Sequence, residues 1–182
     1  MLNQMNVKLN VIEGMHYFWQ ATSEREKVGE KYLVDLANLP EMEALYDEEF
    51  TRDSIRKVLS AISNREVLNS ESKKERKFWN NNMWVMEDLE LTNMMISPLK
   101  VLNLDKVKEE LNRGIGSENY EDIDVVFVPG HFHEYRIEKN QLYINFFKVQ
   151  ADLYGENKLT IGEMSIEKYI QEKAEELLLR TQ

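Results

Sequence analysis

Along the first hundred residues, apolar positions recur mostly every three or four places, which predicts helices. Leu2, Met5, Leu9, Ile12, His16 and Trp19 form one seam with 3-4-3-4-3 spacing, so a helix is expected over residues 2–20. A strand competes there, because Val7, Leu9 and Val11 alternate with Asn6, Lys8 and Asn10. Gly14 also weakens the helix. A second helix is expected over 23–37, with Tyr32, Leu33 and Leu36 turned inward. It stops at Asn38-Leu39-Pro40, since a proline disfavours helical geometry in the residue before it. Pro40 can open a short helix over 41–46. Thr51 is a good N-cap, and Asp53 complements the dipole of a helix carrying Ile55, Val58, Leu59 and Ile62. The longest helix is expected over 72–89, with Phe78, Val85 and Leu89 in one row and Trp79, Met83 and Met86 in the next. Asn80-Asn81-Asn82 is poor helix chemistry, so packing must override it or the helix breaks there.

Beyond Pro98, taken as the end of the helical run, the pattern changes. "LKVLNL" (99–104) fits a strand, and Asp105 fits the cap of a short helix to Leu111. "IDVVFV" (123–128) is apolar on both faces and predicts a central strand covered on both sides. A hairpin follows, turning at Glu138 to Gln141. "KLTIG" fits a last strand. Ser165 then caps a final helix with the stripe Ile166, Tyr169, Ile170, Ala174, Leu177 and Leu178. No internal repeat is evident. The expected fold is α+β: a helical N-terminal half (about 1–97) packed on a small mixed sheet (about 98–182, β-α-β-β-β-α) with a central antiparallel hairpin. The only parallel crossover expected flanks residues 105–111. A chain of 182 residues fits a single domain over 1–182.

Composition narrows the chemistry. The chain has no cysteine, which removes disulfides, thiolate metal sites and cysteine nucleophiles. "MLNQMNVKLN" lacks the pattern of a secretion signal, and no apolar window is long enough for a membrane span. A cytoplasmic location, with no membrane partner, is therefore expected. The Asn- and Lys-rich composition points to a low-GC genome, and a bacterial source is expected. With a net charge of −10, general nucleic-acid binding is disfavoured and a basic protein partner is favoured. The densest basic stretch holds Lys73, Lys74, Arg76 and Lys77 beside Phe78 and Trp79, and reads as the exposed first turns of a helix.

Two of the three histidines sit in "PGHFHEYRI". Counting outward from the turn sets Ile137 opposite Leu142, Tyr135 opposite Ile144 and His133 opposite Phe146. Those six share the core face. Phe132, Glu134 and Arg136 share the other face with Phe147, Asn145 and Tyr143. On this reading His133 is buried beside Phe146, and His131 lies at the rim after the Pro129-Gly130 bend. Alternate strand positions stand about 6.5–7 Å apart, so His131 and His133 could clamp a metal if a third ligand joined them. Glu13 and His16, one helical turn apart, are the available donors. "EGMH" is similar to the Glu-x-x-His unit of di-iron bundles, but such a site needs a second copy, which the chain lacks. "PGHFH" resembles the His-x-His of amidohydrolases over five residues, but their barrel needs more chain and further ligands. The shortage of partners leads to the expectation of no metal and no cofactor.

No phosphate loop or hydrolase elbow is present: "GIGS" (114–117) has no lysine and reads as a turn. Glu134, Arg136, Tyr143 and Asn145 form either a peptide-binding groove or, if covered, a structural cluster. The methionines and tryptophans read as core. Trp84, which falls between the two apolar rows, would anchor an interface if exposed. Two functions follow as expectations. The first is a non-enzymatic protein-binding or regulatory module that meets a basic partner or a second copy of itself. The alternative is a small metal-assisted hydrolase built on His131 and His133.

Overall fold

The computed structural model describes residues 1–154 and 157–180. The architecture is α+β, with a helical N-terminal half, a mixed four-stranded sheet and a three-stranded antiparallel sheet. In chain order the elements are β1 (Gln4–Lys8), α1 (Asn10–Ser23), α2 (Glu30–Ala37), a 3₁₀ turn (Pro40–Leu45), α3 (Arg52–Ser63), α4 (Lys73–Glu87), α5 (Leu89–Lys100) and α6 (Asp105–Arg113). Then come β2 (Asp122–Val128), β3 (Tyr135–Glu138), β4 (Gln141–Asn145), β5 (Gln150–Ala151), β6 (Leu159–Ile161), β7 (Met164–Ser165) and α7 (Ile166–Arg180).

The main sheet has the order β1-β2-β4-β3, with β1 and β4 parallel to β2 and β3 antiparallel to β4. β2 and β4 are therefore the interior strands, which explains why β2 is apolar on both faces. On one face α7 packs on β4 and α6, and α6 packs on β1. On the other face α1 and the 3₁₀ turn pack on β2 and on each other. β5, β6 and β7 form a small meander packed against α5 and α7.

The N-terminal seam divides between two kinds of element. Residues 4–8 are a strand, not the start of a helix, because they pair with the open edge of β2, Met5 beside Ile123 and Val7 beside Val125. Here tertiary pairing overrides the local 3-4 spacing. The parallel connection expected around residues 105–111 is instead β1 to β2, joined through every helix from α1 to α6. The expected 99–104 strand is absent. Those residues end α5, which continues through Pro98, and run as a loop with Leu99 and Leu104 buried and Val101 exposed. The expected 72–89 helix breaks at Asp88, not at the asparagines. Asp88 leaves helical geometry and its carboxylate accepts from the Leu91 N–H, capping α5. Asn82 is tolerated in mid-helix because it is fully buried and bonded twice: its side chain accepts from the Trp19 indole at 2.8 Å and donates to the Phe78 carbonyl at 2.8 Å.

The expected 23–37 helix is two pieces: α1 runs on to Ser23, and α2 begins only at Glu30. The segment between carries one copy of a short motif that recurs at the end of α3. "ATSERE" (21–26) and "AISNRE" (61–66) share Ala-x-Ser-x-Arg-Glu, and each closes a helix in the same way. Arg25 and Arg65 have positive φ, 64° and 57°. The Arg25 and Glu26 N–H groups donate to the Thr22 and Ala21 carbonyls, and the Arg65 and Glu66 N–H groups donate to those of Ile62 and Ala61. This is the Schellman end, with arginine where glycine usually stands.

Candidate functional site

The hairpin pairs as counted, Tyr135 with Ile144, Arg136 with Tyr143 and Ile137 with Leu142. Its pairing ends two residues earlier than expected, because the chain turns sharply after Val128. Asn145 organises the turn from a fully buried position. Its side-chain oxygen accepts from the Gly130 and Phe147 N–H groups, and its amide donates to the Phe132 and His133 carbonyls. Gly130 fits because a Cβ there would lie 3.0 Å from the Asn145 side chain.

The turn reverses the expected histidine positions. His131 is the buried one: its Nε2 lies 2.7 Å from the Leu45 carbonyl and its ring packs on Phe50 at 4.7 Å. Burial lowers its pKa; the Leu45 carbonyl and Asp47 oppose this, and Arg136 and Lys74 add to it. His133 is the exposed one. It does not meet Phe146 and stands 3.5 Å from the Glu134 carboxylate. His16 bonds to the Asn93 side chain at 2.6 Å, and Glu13 is exposed. The four metal-ligand candidates are thus dispersed, and among the described residues no group of three or more His, Asp or Glu is placed to hold an ion.

The expected second-face cluster is also divided. Glu134 precedes the regular strand and accepts from the Tyr169 hydroxyl on α7 at 3.1 Å. Arg136 points the other way, donates to the Ala44 carbonyl at 2.8 Å, and lies over the Phe132 ring at 4.9 Å. Tyr143 is buried and donates to the Gln141 side chain. Tyr143 and Asn145 are thus enclosed, whereas Arg136 also lines a small surface hollow with Tyr135, Glu138 and Arg180.

The open site is elsewhere. A cleft of about 650 Å³ lies where the C-terminal ends of α1, α3 and α4 converge. Trp79, Met83 and Met86 form one wall, Thr22 and Ile62 the floor, and Val67 overhangs it with 91% of its surface exposed. A smaller annex of about 230 Å³ shares Val67 and Trp79 with it and reaches Leu68 and Arg76. This volume lies within the range of ligand sites, and the lining is mostly apolar, as such sites are. Methionine walls adapt to irregular apolar partners.

The cleft carries polar groups without partners: the Trp79 indole N–H and the Thr22 hydroxyl are shielded from solvent and have no hydrogen-bond partner among the described residues. An unmet buried donor costs about 1–3 kcal/mol. At the rim Arg65, Glu66 and Glu87 have no ion-pair partner among the described residues, in contrast to Arg56 with Asp53 or Lys74 with Asp47. Trp84 is 48% exposed on the same helix but outside the cleft lining.

Sequence spacing finds the Trp79, Met83 and Met86 row but assigns it to the core. The available signal is its chemistry, soft methionines and a tryptophan in place of the aliphatic residues of the core rows. Compared with protein-family models, characterised proteins and solved structures, the chain matches none.

Proposed function

We propose that this protein is a non-enzymatic binding module that seats an amphipathic helix of a partner protein in the cleft between α1, α3 and α4. The observation that carries the reading is the open Trp79–Met83–Met86 row. These residues stand at i, i+4 and i+7 on α4, partly exposed, with Val67 projecting beside them. A helix laid in a groove presents anchors at the same spacing, so the two rows can interlock over about two turns. The annex toward Leu68 lengthens the apolar strip beyond a compact small-molecule pocket. Among the described residues His131, His133, His16 and Glu13 do not gather into a group that could hold a metal, so the hydrolase alternative has no support of this kind.

The test is fluorescence anisotropy with a labelled synthetic helix that has leucine on one face and glutamine on the other. Binding should be saturable and should fall at least about tenfold with Met83→Glu or Met86→Gln. Thermal melts of both variants establish that they are folded. Equal binding by the parent and both folded variants would overturn the reading.

A further inference from the structure

We infer that the helix this cleft accepts is basic, and that one of its cationic side chains seats at the mouth between Glu66 and Glu87. The inference rests on the docking reading above and adds the charge of the partner.

Three features give the mouth its sign. First, α1, α3 and α4 all end at the cleft, through Thr22 and Ser23, Ala61 and Ile62, and Met86 and Glu87. A helix C-terminus carries about half a negative charge, normally offset by a basic residue in the last turn. None of these three helices has one within its last turn; Arg25 and Arg65 follow α1 and α3 just outside it, and α4 has neither. Second, the rim carboxylates Glu66 and Glu87 outnumber the single rim guanidinium, Arg65, and none of the three is committed to an ion pair among the described residues. Third, Trp79 lines the cleft, and an indole is the aromatic group that best attracts a cation brought against its ring. The ends of three helices, two carboxylates and an indole all favour positive charge at one place. The net charge of −10 adds long-range attraction of the same sign. An amphipathic helix with lysine or arginine beside its apolar anchors meets the cleft and the rim together.

The experiment compares three synthetic helices with the same leucine face and polar faces of lysine, glutamine or glutamate. The lysine helix should bind at least about tenfold more tightly than the glutamate helix at low salt, with the gap narrowing as salt rises. Net charge alone would produce some preference wherever the peptide bound, so the decisive measurement is local. Glu66→Gln with Glu87→Gln should weaken the lysine helix about tenfold and leave the glutamine helix within about twofold. Glu109→Gln with Glu110→Gln, on α6, changes the net charge equally and should shift neither by more than about twofold. Equal effects of the two pairs, or no preference among the helices, would overturn the basic partner. If the glutamine helix still depended on Met83 in that case, the docking reading would stand without it. Loss of Met83 dependence for every helix would remove both.

Discussion

Two helices of fifteen residues, α4 and α7, make opposite use of their apolar rows. α7 buries Ile166, Tyr169, Ile170, Ala174, Leu177 and Leu178 against the sheet and α6. Its polar side is tied down as well: Glu176 accepts from the Tyr135 hydroxyl at 2.6 Å, and Lys173 lies over the Tyr135 ring at 4.5 Å. α4 buries Phe78 and Val85 but leaves Trp79, Met83 and Met86 partly open and Trp84 nearly half exposed. Beside the enclosed Phe78 it also buries a polar group, Asn82 bonded to Trp19. An apolar row at helical spacing becomes core only when another element comes to cover it. On α7 the sheet does so, and on α4 the second row meets only helix ends.

The sharpest test of that contrast is paired truncation. Ile170→Ala on α7 should cost about 2–5 kcal/mol, because a fully buried side chain leaves a cavity. Ile144→Ala, on the central strand beneath α7, should cost a similar amount. Met83→Ala, already partly solvated, should cost about 1 kcal/mol or less in denaturant unfolding while weakening peptide binding. A Met83→Ala loss as large as that of Ile170→Ala would make the open row part of the core.

The buried asparagine gives the next effect. Asn82→Ala removes the acceptor of the Trp19 indole N–H in a site with no exposure. It should cost about 1–3 kcal/mol. Restoration of near-parent stability on adding Trp19→Phe would show that the loss comes from the stranded indole; otherwise the helix itself needs Asn82.

Acid should separate the sheet end from the cleft end. The folded pKa of His131 lies below its ordinary value of 6.5. The unfolded chain therefore binds this proton first as pH falls, and stability drops from about pH 6.5 until the folded value is passed. Above that window the contribution is fully present. Urea midpoints of the parent should fall across the window more steeply than those of His131→Gln. Identical slopes for parent and His131→Gln would show that the buried ring is not a source of acid sensitivity.

Much of the fold was legible in the sequence. Thr51 is the cap expected, and it shares a reciprocal capping box with Ser54. The α7 stripe and the hairpin register follow from periodicity, which local geometry enforces once one face is buried. What was not legible depends on distant partners. Residues 4–8 are a strand because β2 offers an open edge more than a hundred positions later. His131 and His133 exchange roles because Asn145 binds two carbonyls of the intervening turn, which ends the alternation. The cleft was illegible for a related reason: spacing identifies a row, but not the lack of a cover.

The smallest expected effect concerns Arg65, and it decides whether the cleft rim is retained at a cost to stability. Left-handed geometry crowds Cβ against the carbonyl and costs a non-glycine residue about 1 kcal/mol. Arg25 and Arg65 both occupy it at equivalent helix ends. Arg25→Gly and Arg65→Gly should therefore each stabilise the fold by about 0.5–1 kcal/mol, with glycine's extra freedom in the unfolded chain offsetting part of the relief. The two sites diverge in binding. Arg65 lines the cleft and Arg25 does not. Arg65→Gly removes a cation from the mouth, so it should tighten the lysine helix by about two- to threefold, whereas Arg25→Gly should leave it unchanged. Equal binding changes in the two variants would make both arginines mere features of the helix ends. A weaker lysine helix after Arg65→Gly would mean that Arg65 itself contacts the partner.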